Sequence, residues 1–395
     1  MNEAATQAVA GPDERRSAQI PASWVEIPSY ARPALSFALV RLLLRSPAAR
    51  QDLPFKGKIP GISHDQKPAI MLDGEMHRRR RASLARLFSP KAIKDHHLVV
   101  REATTAALIA DLRRTGRGQI DLMSMRHACD VAVAIVGLTE SDPAAMAGRI
   151  RLTFESSATD GWPLIGPAIG KAKTIYKSFS LLWLDVKPAI RARKANPQAD
   201  IISLCLEIGY SDEAILVECV IYGTAGMLTT REFIVMVAWY LLDRPDLREA
   251  FLGADVAGQI RMLEEVLRLE PVAALLYRRA EEDMEGPDGA TIRAGERFAL
   301  DIRAANTDEA ATGACPYTFD AERGRREKST GGWLSFGDGA HGCPGAQVAL
   351  AETRVLIVAL LRVPGIRLER PPVVGCCDPI GGYELHGAIV TCERG

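Results

Sequence analysis

The most informative part of this sequence is Trp333-Leu334-Ser335-Phe336-Gly337-Asp338-Gly339-Ala340-His341-Gly342-Cys343-Pro344-Gly345, where glycines surround one cysteine. The spacing of Gly337, Gly339 and Gly342 imitates the Gly-x-Gly-x-x-Gly turn of dinucleotide-binding proteins. That turn belongs to a doubly wound sheet of β-α-β units. No such pattern precedes it, and the chain ends at Gly395, too soon to supply the rest. The sequence therefore favours another use of these glycines.

The second interpretation is a turn that presents Cys343 at the N-terminus of a helix. Backbone N–H groups and the helix dipole favour a thiolate there, and Pro344 suits the first helical turn because its missing N–H costs nothing. The glycines allow a large flat ligand to approach the backbone. A thiolate held in this way is a soft anionic ligand, as in thiolate-ligated haem, where it promotes O–O cleavage.

Composition and charge exclude several classes of protein. The chain has 395 residues, with 49 basic and 49 acidic side chains, so we do not expect the basic excess of a nucleic-acid-binding protein. Hydrophobic residues make up 47% and charged residues 25%, which is typical of a globular protein. The longest uninterrupted apolar run, about Ile234 to Leu242, is much shorter than the roughly 18 residues of a membrane span, so no membrane is expected as a partner.

The N-terminus and the cysteines indicate a cytoplasmic protein. Residues 1–20 are polar and lack the apolar core of a signal peptide, which predicts a disordered lead. Without export, the eight cysteines are not expected to form disulfides, and no Cys-x-x-Cys pair indicates a zinc site. Apart from Cys343, we interpret the cysteines as small packing residues.

Helical periodicity dominates the chain. The longest helix is predicted to begin at Ser211-Asp212-Glu213, where a capping serine precedes acidic residues that suit the positive end of the helix dipole, and to end at Leu242. Gly223 and Gly226 lie inside it and cost about 1 kcal/mol each relative to alanine, so another group is expected to approach closely there. The remaining predicted elements are helices over about 74–88, 256–270 and from Cys343-Pro344 to 362, a loop at 162–167, and short strands within 284–306, 365–369 and 383–391.

The motif Phe336-Gly337-x-Gly339-x-His341-x-Cys343-x-Gly345 resembles in full the haem-ligand signature of the cytochrome P450 family. The resemblance extends over about residues 70–390. It implies a mainly α fold with a small β region, in which haem b lies between the long helix and the loop of Cys343, the axial iron ligand. It also implies one haem-thiolate monooxygenase domain over residues 21–395. The expected haem contacts in the motif are Phe336, Gly337, Gly339, His341, Cys343 and Gly345.

The resemblance assigns a structural role to Glu265-x-x-Arg268, which matches the family's Glu–Arg pair beneath the haem. Alone the spacing is weak evidence, because such pairs are usually solvated surface contacts. Two other pairs share it: Glu75/Arg78 and Glu322/Arg325. The family often adds an arginine just before Phe319, where this sequence has Thr318, so Arg323 is the expected third member.

Arginine and histidine side chains are the expected partners of the haem carboxylates. His77 and Arg81 are four residues apart, share a helix face, and resemble the family's His-x-x-x-Arg. Successive residues on a helix rotate by about 100°, so the run Arg78–Arg81 cannot bind one ligand as a whole, and its other interpretation is a solvated basic helix. Arg278 resembles a further carboxylate-binding arginine, with Arg279 as the competing assignment.

The segment Ala225-Gly226-Met227-Leu228-Thr229-Thr230 resembles the oxygen-binding part of the family's long helix. Ala225 and Gly226 are expected against the haem, and Thr229 matches the threonine that assists proton delivery. Its other expected role is to bond the carbonyl four residues earlier and bend the helix. The family usually has a carboxylate where Leu228 stands, so we expect ordered water or a polar group of the substrate to supply the proton route, with Glu232 as a weaker candidate.

The substrate-facing residues implied by the resemblance are aliphatic, although ordinary core packing explains each of them equally well. They are Leu228, Val272, Leu276 and Ile380. They predict a hydrophobic small-molecule substrate.

The implied reaction is monooxygenation, with O2 and two electrons from a separate ferredoxin and its reductase, as in soluble bacterial members of secondary metabolism. Exposed arginines such as Arg79 and Arg86 are candidate contacts for an acidic electron donor. Because Leu228 replaces the usual acid, the alternative is a peroxide-driven haem-thiolate oxidase or a haem-binding protein that performs no oxygenation.

Overall fold

The computed structural model describes residues 12–19, 27–52, 62–93, 98–142, 145–146, 149, 180–329, 332–377 and 381–395. The helices are α1 Phe37–Arg45, α2 Gly74–Ala85, α3 Pro90–Ala92, α4 Leu98–Thr115, α5 Ile120–Val136, α6 Lys187–Ala195, α7 Ile201–Glu207, α8 Asp212–Asp243, α9 Pro245–Gly253, α10 Val256–Leu269, α11 Ile302–Asn306, α12 Glu309–Thr312, α13 Arg323–Arg326 and α14 Ala346–Leu361. The strands are β1 Arg32–Ala34, β2 Ala49–Gln51, β3 Arg117–Gln119, β4 Leu275–Ala280, β5 Met284–Glu285, β6 Thr291–Ile292, β7 Arg297–Asp301, β8 Arg367–Arg370, β9 Val373–Cys377, β10 Gly382–His386 and β11 Ile389–Thr391.

The chain folds as two compact units, and each is assembled from separated parts of the sequence. The first unit takes its described residues from the ranges 1–53, 244–343 and 373–386. The second takes them from 54–243, 344–372 and 387–395. The single domain over 21–395 stays a prediction.

A four-stranded sheet forms the centre of the first unit, in the order β1-β7-β4-β2. β1 runs parallel to β7, while β4 is antiparallel to both β7 and β2. Phe298 and Leu300 of β7 are buried in one cluster with Val40 and Leu43 of α1. The strand pairs β5–β6 and β9–β10 also belong to this unit, and α10 contacts α9, α11 and α13.

Residues 12–19 contradict part of the predicted disordered lead over 1–20. Glu14 accepts a hydrogen bond from the Phe319 N–H at 2.6 Å and one from Arg244 at 3.1 Å. The N–H of Ser17 donates to Glu270 at 3.1 Å. These long-range bonds hold the segment on the first unit, and hydropathy alone gave no sign of them because they involve polar groups. Residues 1–11 lie outside the described part of the chain.

The long helix α8 is the centre of the second unit, where it contacts α5, α7 and α14. Its predicted bounds are confirmed. The Ser211 hydroxyl oxygen accepts from the Ala214 N–H at 3.2 Å, and the helix ends at Asp243, just before Arg244-Pro245. Strands β3, β11 and β8 form a small sheet in this unit, in the order β3-β11-β8.

The other predicted elements agree with the structure in type and mostly in extent. The basic helix is α2 followed by a 3-10 turn over Arg86–Phe88, and the 256–270 helix is α10. The C-terminal strands were only partly predicted. Gly387, with φ of +71°, separates β10 from β11, and β9 was missed. The predicted loop at 162–167 lies outside the described residues.

Among the described residues, α8 alone has the length and hydropathy of a membrane-spanning helix. Of its most apolar window, 72% is buried inside the fold. A helix covered by protein in this way is typical of a core helix.

Candidate active site

The Cys343 loop is a tight turn that exposes its cysteine. Gly337 and Gly339 have φ of +69° and +66°, the left-handed region that glycine adopts without a steric penalty. The N–H of Cys343 donates to the Phe336 carbonyl at 2.7 Å, and the N–H of Gly342 donates to the Gly339 carbonyl at 3.2 Å. These bonds close the turn and leave the Cys343 side chain at the surface.

Cys343 differs from the other cysteines in its surroundings. None of the seven cysteines whose side chains the structure describes forms a disulfide, and Cys343 alone among them is exposed. Burial raises the pKa of the Cys129, Cys205 and Cys219 thiols, so these three stay neutral. The environment therefore favours Cys343 as the metal-binding thiolate.

One side of the loop is fixed to α1. A Cβ atom at Gly339 would lie 2.6 Å from the Leu44 carbonyl oxygen, which leaves no room for a side chain. The carboxylate of Asp338 accepts from Arg45 at 2.7 Å and from Arg41 at 3.3 Å. Although burial opposes it, these bonds and that from the Gly339 N–H lower the pKa of Asp338. Asp338 was not predicted as a site residue, although its place between two motif glycines could have marked it.

The start of the loop is held by Asn306, the last residue of α11. Its side-chain oxygen accepts from the Leu334 N–H at 3.0 Å, and its side-chain nitrogen donates to the Ser335 hydroxyl at 2.8 Å. That hydroxyl donates in turn to the Leu267 carbonyl at 2.6 Å. Asn306 is fully buried, and nothing in the single sequence distinguished it from other turn residues.

The predicted placement of Pro344 is wrong. Helix α14 begins at Ala346 with Gly345 as its N-cap, so Pro344 lies in the preceding turn and Cys343 is three residues before the helix. The Gly345 backbone, at φ −87° and ψ 4°, is not helical. The glycine-rich turn is therefore longer than the sequence indicated.

The structure brings Glu265, Arg268 and Arg323 together in the same unit as this loop. Arg268 donates to both carboxylate oxygens of Glu265, at 2.8 and 2.9 Å. It also donates to the Pro316 carbonyl at 2.7 Å. The Arg323 Nε lies 3.6 Å from a Glu265 oxygen, and all three side chains are at least 97% buried.

The two competing arginines on β4 point to opposite faces of the strand, as alternation requires. Arg278 is 2% exposed and donates to the side-chain oxygen of Gln51 and, at 2.9 Å, to the Tyr277 carbonyl. Arg279 is exposed and pairs with Glu281 at 2.7 Å. This geometry favours Arg278 for a buried anionic ligand.

The four arginines of α2 have different surroundings. Arg78 and Arg79 are exposed and both pair with Glu75, so the interpretation as a solvated helix holds for them. Arg81 is half-buried, and His77, one turn earlier, is 3% exposed. The structure therefore keeps these two together on a less exposed face of the helix.

In the segment Ala225–Thr230 of α8, the structure shows one of the two roles expected of Thr229, the bond to the carbonyl four residues earlier. Its hydroxyl donates to the Ala225 carbonyl at 2.5 Å. The neighbouring Thr230 is buried, and its hydroxyl bonds to Glu352, whose pKa burial raises well above the ordinary range. The two threonines therefore have different surroundings, and the proton-delivery role of Thr229 stays a prediction.

Other residues of this segment are explained by packing or pairing. A Cβ atom at Gly226 would lie 3.3 Å from the Ala132 Cβ on α5, so close helix packing accounts for this glycine. Leu228 is half-buried. Glu232 is buried and pairs with Arg231 at 3.0 Å, which makes it a poor proton donor.

The structure describes three of the four predicted substrate residues. Val272 is 6% exposed, whereas Leu276 and Leu228 are half-buried. Ile380 lies outside the described residues.

Comparison with known proteins assigns the chain to a family. The family model for cytochrome P450 matches residues 261–363, which include α10 and the Cys343 loop. Bacterial P450s align with most of the chain. The chain belongs to the cytochrome P450 family.

The relatives of this P450 cover nearly its full length. It is 27% identical over 363 residues to the biotin biosynthesis cytochrome P450 of Bacillus subtilis (strain 168), covering 87% of this chain and 84% of the relative. It is 27% identical over 369 residues to the cytochrome P450 monooxygenase PikC of Streptomyces venezuelae, covering 84% of each. The structure of substrate-free CYP109E1 from Bacillus megaterium has a TM-score of 0.78 at 18% identity, covering 94% of this chain and 95% of that one.

These similarities confirm the mainly α fold with a small β region, and the protein is a monooxygenase, hence an oxidoreductase. They do not favour the alternative of a protein that performs no oxygenation. The residues present fit the family's haem. Cys343 is an exposed cysteine in a turn without bulky side chains, and Arg278 is a buried cation. The cofactor of this P450 is haem with the Cys343 thiolate as axial ligand.

Proposed function

We propose that this P450 hydroxylates a hydrophobic small molecule, using O2 and two electrons that a separate ferredoxin and its reductase deliver. The observation that carries the proposal is the exposed Cys343 side chain in a turn closed by the bond between its N–H and the Phe336 carbonyl. When bound, the haem supplies a redox-active iron at which O2 is split, so that one oxygen atom enters the substrate and the other leaves as water. In this proposal, Asp338 and Asn306 fix the loop that presents the thiolate.

The haem carboxylates would be held by His77, Arg81 and Arg278. Arginine donates two parallel hydrogen bonds to a carboxylate, and charge assistance makes such bonds stronger than neutral ones. The burial of His77 and Arg278 supports this role because water competes less for buried donors.

Thr229 would orient a proton donor rather than act as one. Its own proton is donated to the Ala225 carbonyl, which leaves the hydroxyl oxygen as an acceptor for water or for a polar group of the substrate. Leu228 cannot supply a proton, and Glu232 is paired with Arg231. We therefore infer that the proton route runs through ordered water or through the substrate.

The aliphatic character of Leu228, Val272 and Leu276 supports a hydrophobic substrate. Structural neighbours point the same way, because one is a complex of CYP109E1 with corticosterone and another a complex of P450BioI with hexadec-9Z-enoic acid ligated acyl carrier protein. A role in secondary metabolism and a cytoplasmic location are part of this proposal. The exposed Arg79 and Arg86 would face an acidic ferredoxin.

The ferrous–carbon monoxide spectrum tests the thiolate assignment. We expect the strongly red-shifted Soret band of a thiolate-ligated haem in the wild type and its loss in Cys343→Ala. The matched control is Cys392→Ala, a half-buried cysteine whose removal leaves the band in place. An unshifted band in the wild type, or an unchanged band in Cys343→Ala, overturns the proposal.

The substrate class and the electron source need separate measurements. A screen of apolar compounds should find ligands that shift the haem spin state. With such a ligand, we expect turnover with a reconstituted ferredoxin and reductase to exceed turnover with peroxide. Turnover with peroxide alone would instead identify a peroxide-driven oxidase.

A further inference from the structure

Arg80 differs from the other arginines of α2 because it is held inside the second unit. Its side chain is 13% exposed, against 70% for Arg78 and 80% for Arg79. One guanidinium nitrogen donates to the Asp65 carbonyl at 2.8 Å. The guanidinium carbon also lies 4.4 Å from the centre of the Tyr210 ring, a cation–π geometry.

The third partner of Arg80 is Glu218 on α8, with 3.9 Å between the nearest nitrogen and oxygen. Glu218 is 1% exposed. Its second carboxylate oxygen has no hydrogen-bond partner among the described residues, and the Tyr210 hydroxyl is likewise unpartnered there. Arg80 thus connects α2 to three separate places: the turn at Asp65, the chain before α8, and α8 itself.

This connection matters because of the neighbours of Arg80 on α2. Arg81 is the next residue, and His77 is three residues earlier, so a rotation or shift of α2 moves all three together. The contacts of Arg80 resist such a movement, since they hold its guanidinium against three separate parts of the unit. Arg78 and Arg79 cannot do this, because their partner Glu75 is on the same helix.

We propose that Arg80 is a positioning residue: through Asp65, Tyr210 and Glu218 it fixes α2 so that His77 and Arg81 hold the haem carboxylates. The inference rests on the proposed carboxylate-binding role of Arg81. Arg80 itself does not bind the haem, and its effect on haem retention passes through His77 and Arg81.

Transfer of haem from the ferric protein to excess apomyoglobin measures retention without any turnover. We expect Arg81→Met to speed the transfer about tenfold through loss of a charge-assisted bond, and Arg80→Met to speed it about fivefold. The matched control, Arg79→Met, removes an exposed arginine of the same helix and should change the rate less than twofold. Arg80→Lys, which keeps the charge facing Glu218, should recover part of the loss and serves if Arg80→Met does not fold.

Two further readouts separate positioning from general stability. The double variant Arg80→Met/Arg81→Met should accelerate haem loss by less than the product of the two single effects, because the Arg81 contact can be lost only once. The propionate bending band in the resonance Raman spectrum should shift in Arg80→Met as it does in Arg81→Met, and not in Arg79→Met. Multiplied effects in the double variant, or an unshifted band in Arg80→Met, would overturn the inference. No effect of Arg81→Met on either readout would instead remove the proposed role of Arg81.

Discussion

Two of the buried glutamate–arginine pairs among the described residues, one in each unit, are built differently. In the first unit, Arg268 binds both oxygens of Glu265 at 2.8 and 2.9 Å, and the Asp320 N–H donates to the same carboxylate at 3.0 Å. In the second, Arg80 approaches Glu218 only to 3.9 Å, beyond hydrogen-bond distance. The two carboxylates are equally buried, at 2% and 1% exposed.

Burial and opposite charge do not by themselves define what an ion pair does. Removing a carboxylate from water costs several kcal/mol, and close hydrogen bonds must offset that cost. The Glu265 site supplies them, so it acts as a fixed connection within its unit. Glu218 receives much less compensation, and burial raises its pKa to about 7 against the opposing attraction of Arg80.

The largest expected loss of stability comes from breaking the Glu265–Arg268 pair. Arg268→Met leaves Glu265 buried without its main partner and frees the Pro316 carbonyl that Arg268 also bonds. Such a loss typically destabilises a protein by about 3–5 kcal/mol, measured as the free energy of unfolding in urea. The control is Arg325→Met, because Arg325 forms the same i,i+3 pair with Glu322 but is 72% exposed. Equal stabilities of the two variants would contradict the structural role of the pair.

The stability that the Arg80–Glu218 pair contributes should depend on pH. The pKa of Glu218 is raised from 4.5 to about 7, so the native state keeps a proton that the unfolded chain releases. Stability from this group is therefore full below about pH 4.5 and falls as the pH rises to about 7. The glutamine side chain of Glu218→Gln is uncharged at every pH, so the stability of this variant does not fall in that way.

We accordingly expect the wild type to lose about 2–3 kcal/mol relative to Glu218→Gln between about pH 5 and pH 8. Urea unfolding of both proteins at each pH gives the difference, in which titrations common to the two cancel. Cys205, Cys219 and Tyr222 surround Glu218, but burial raises the pKa of each, so they remain neutral. A pH-independent difference would show that Glu218 is charged throughout.

A smaller loss of stability is expected from removing Arg323, the third side chain beside the Glu265–Arg268 pair. Arg323 lies 3.6 Å from Glu265 and donates to the carbonyls of Thr312 at 2.7 Å and Cys315 at 3.0 Å. Arg323→Met takes the Arg323 donor from the buried Thr312 carbonyl, whereas the Cys315 carbonyl keeps its bonds from Thr318. We expect a loss of about 2 kcal/mol in the free energy of unfolding. The neighbouring Arg326 is 54% exposed, and Arg326→Met should leave stability unchanged. A loss as large as that of Arg268→Met would mean that Arg323 contributes as much to the site as Arg268.

The sequence predicted one of these pairs and not the other, for a physical reason. Glu265 and Arg268 are three residues apart on one helix, so their contact is local and the resemblance gave it a role. The limits of α8 were equally local, set by Ser211 and Pro245. Arg80 and Glu218 are far apart in the chain, and only the packing of α2 against its own unit brings them together. Asn306 was missed for the same reason.

The smallest expected effect separates the two ways in which Tyr210 could hold Arg80. The ring of Tyr210 faces the guanidinium at 4.4 Å, whereas its hydroxyl has no hydrogen-bond partner among the described residues. Tyr210→Phe keeps the ring and should leave the free energy of unfolding within about 0.5 kcal/mol of the wild type, while Tyr210→Leu should lose about 1 kcal/mol. If Tyr210→Phe costs as much as Tyr210→Leu, the hydroxyl contributes to the site, and the Glu218 pair is better compensated than its 3.9 Å separation indicates.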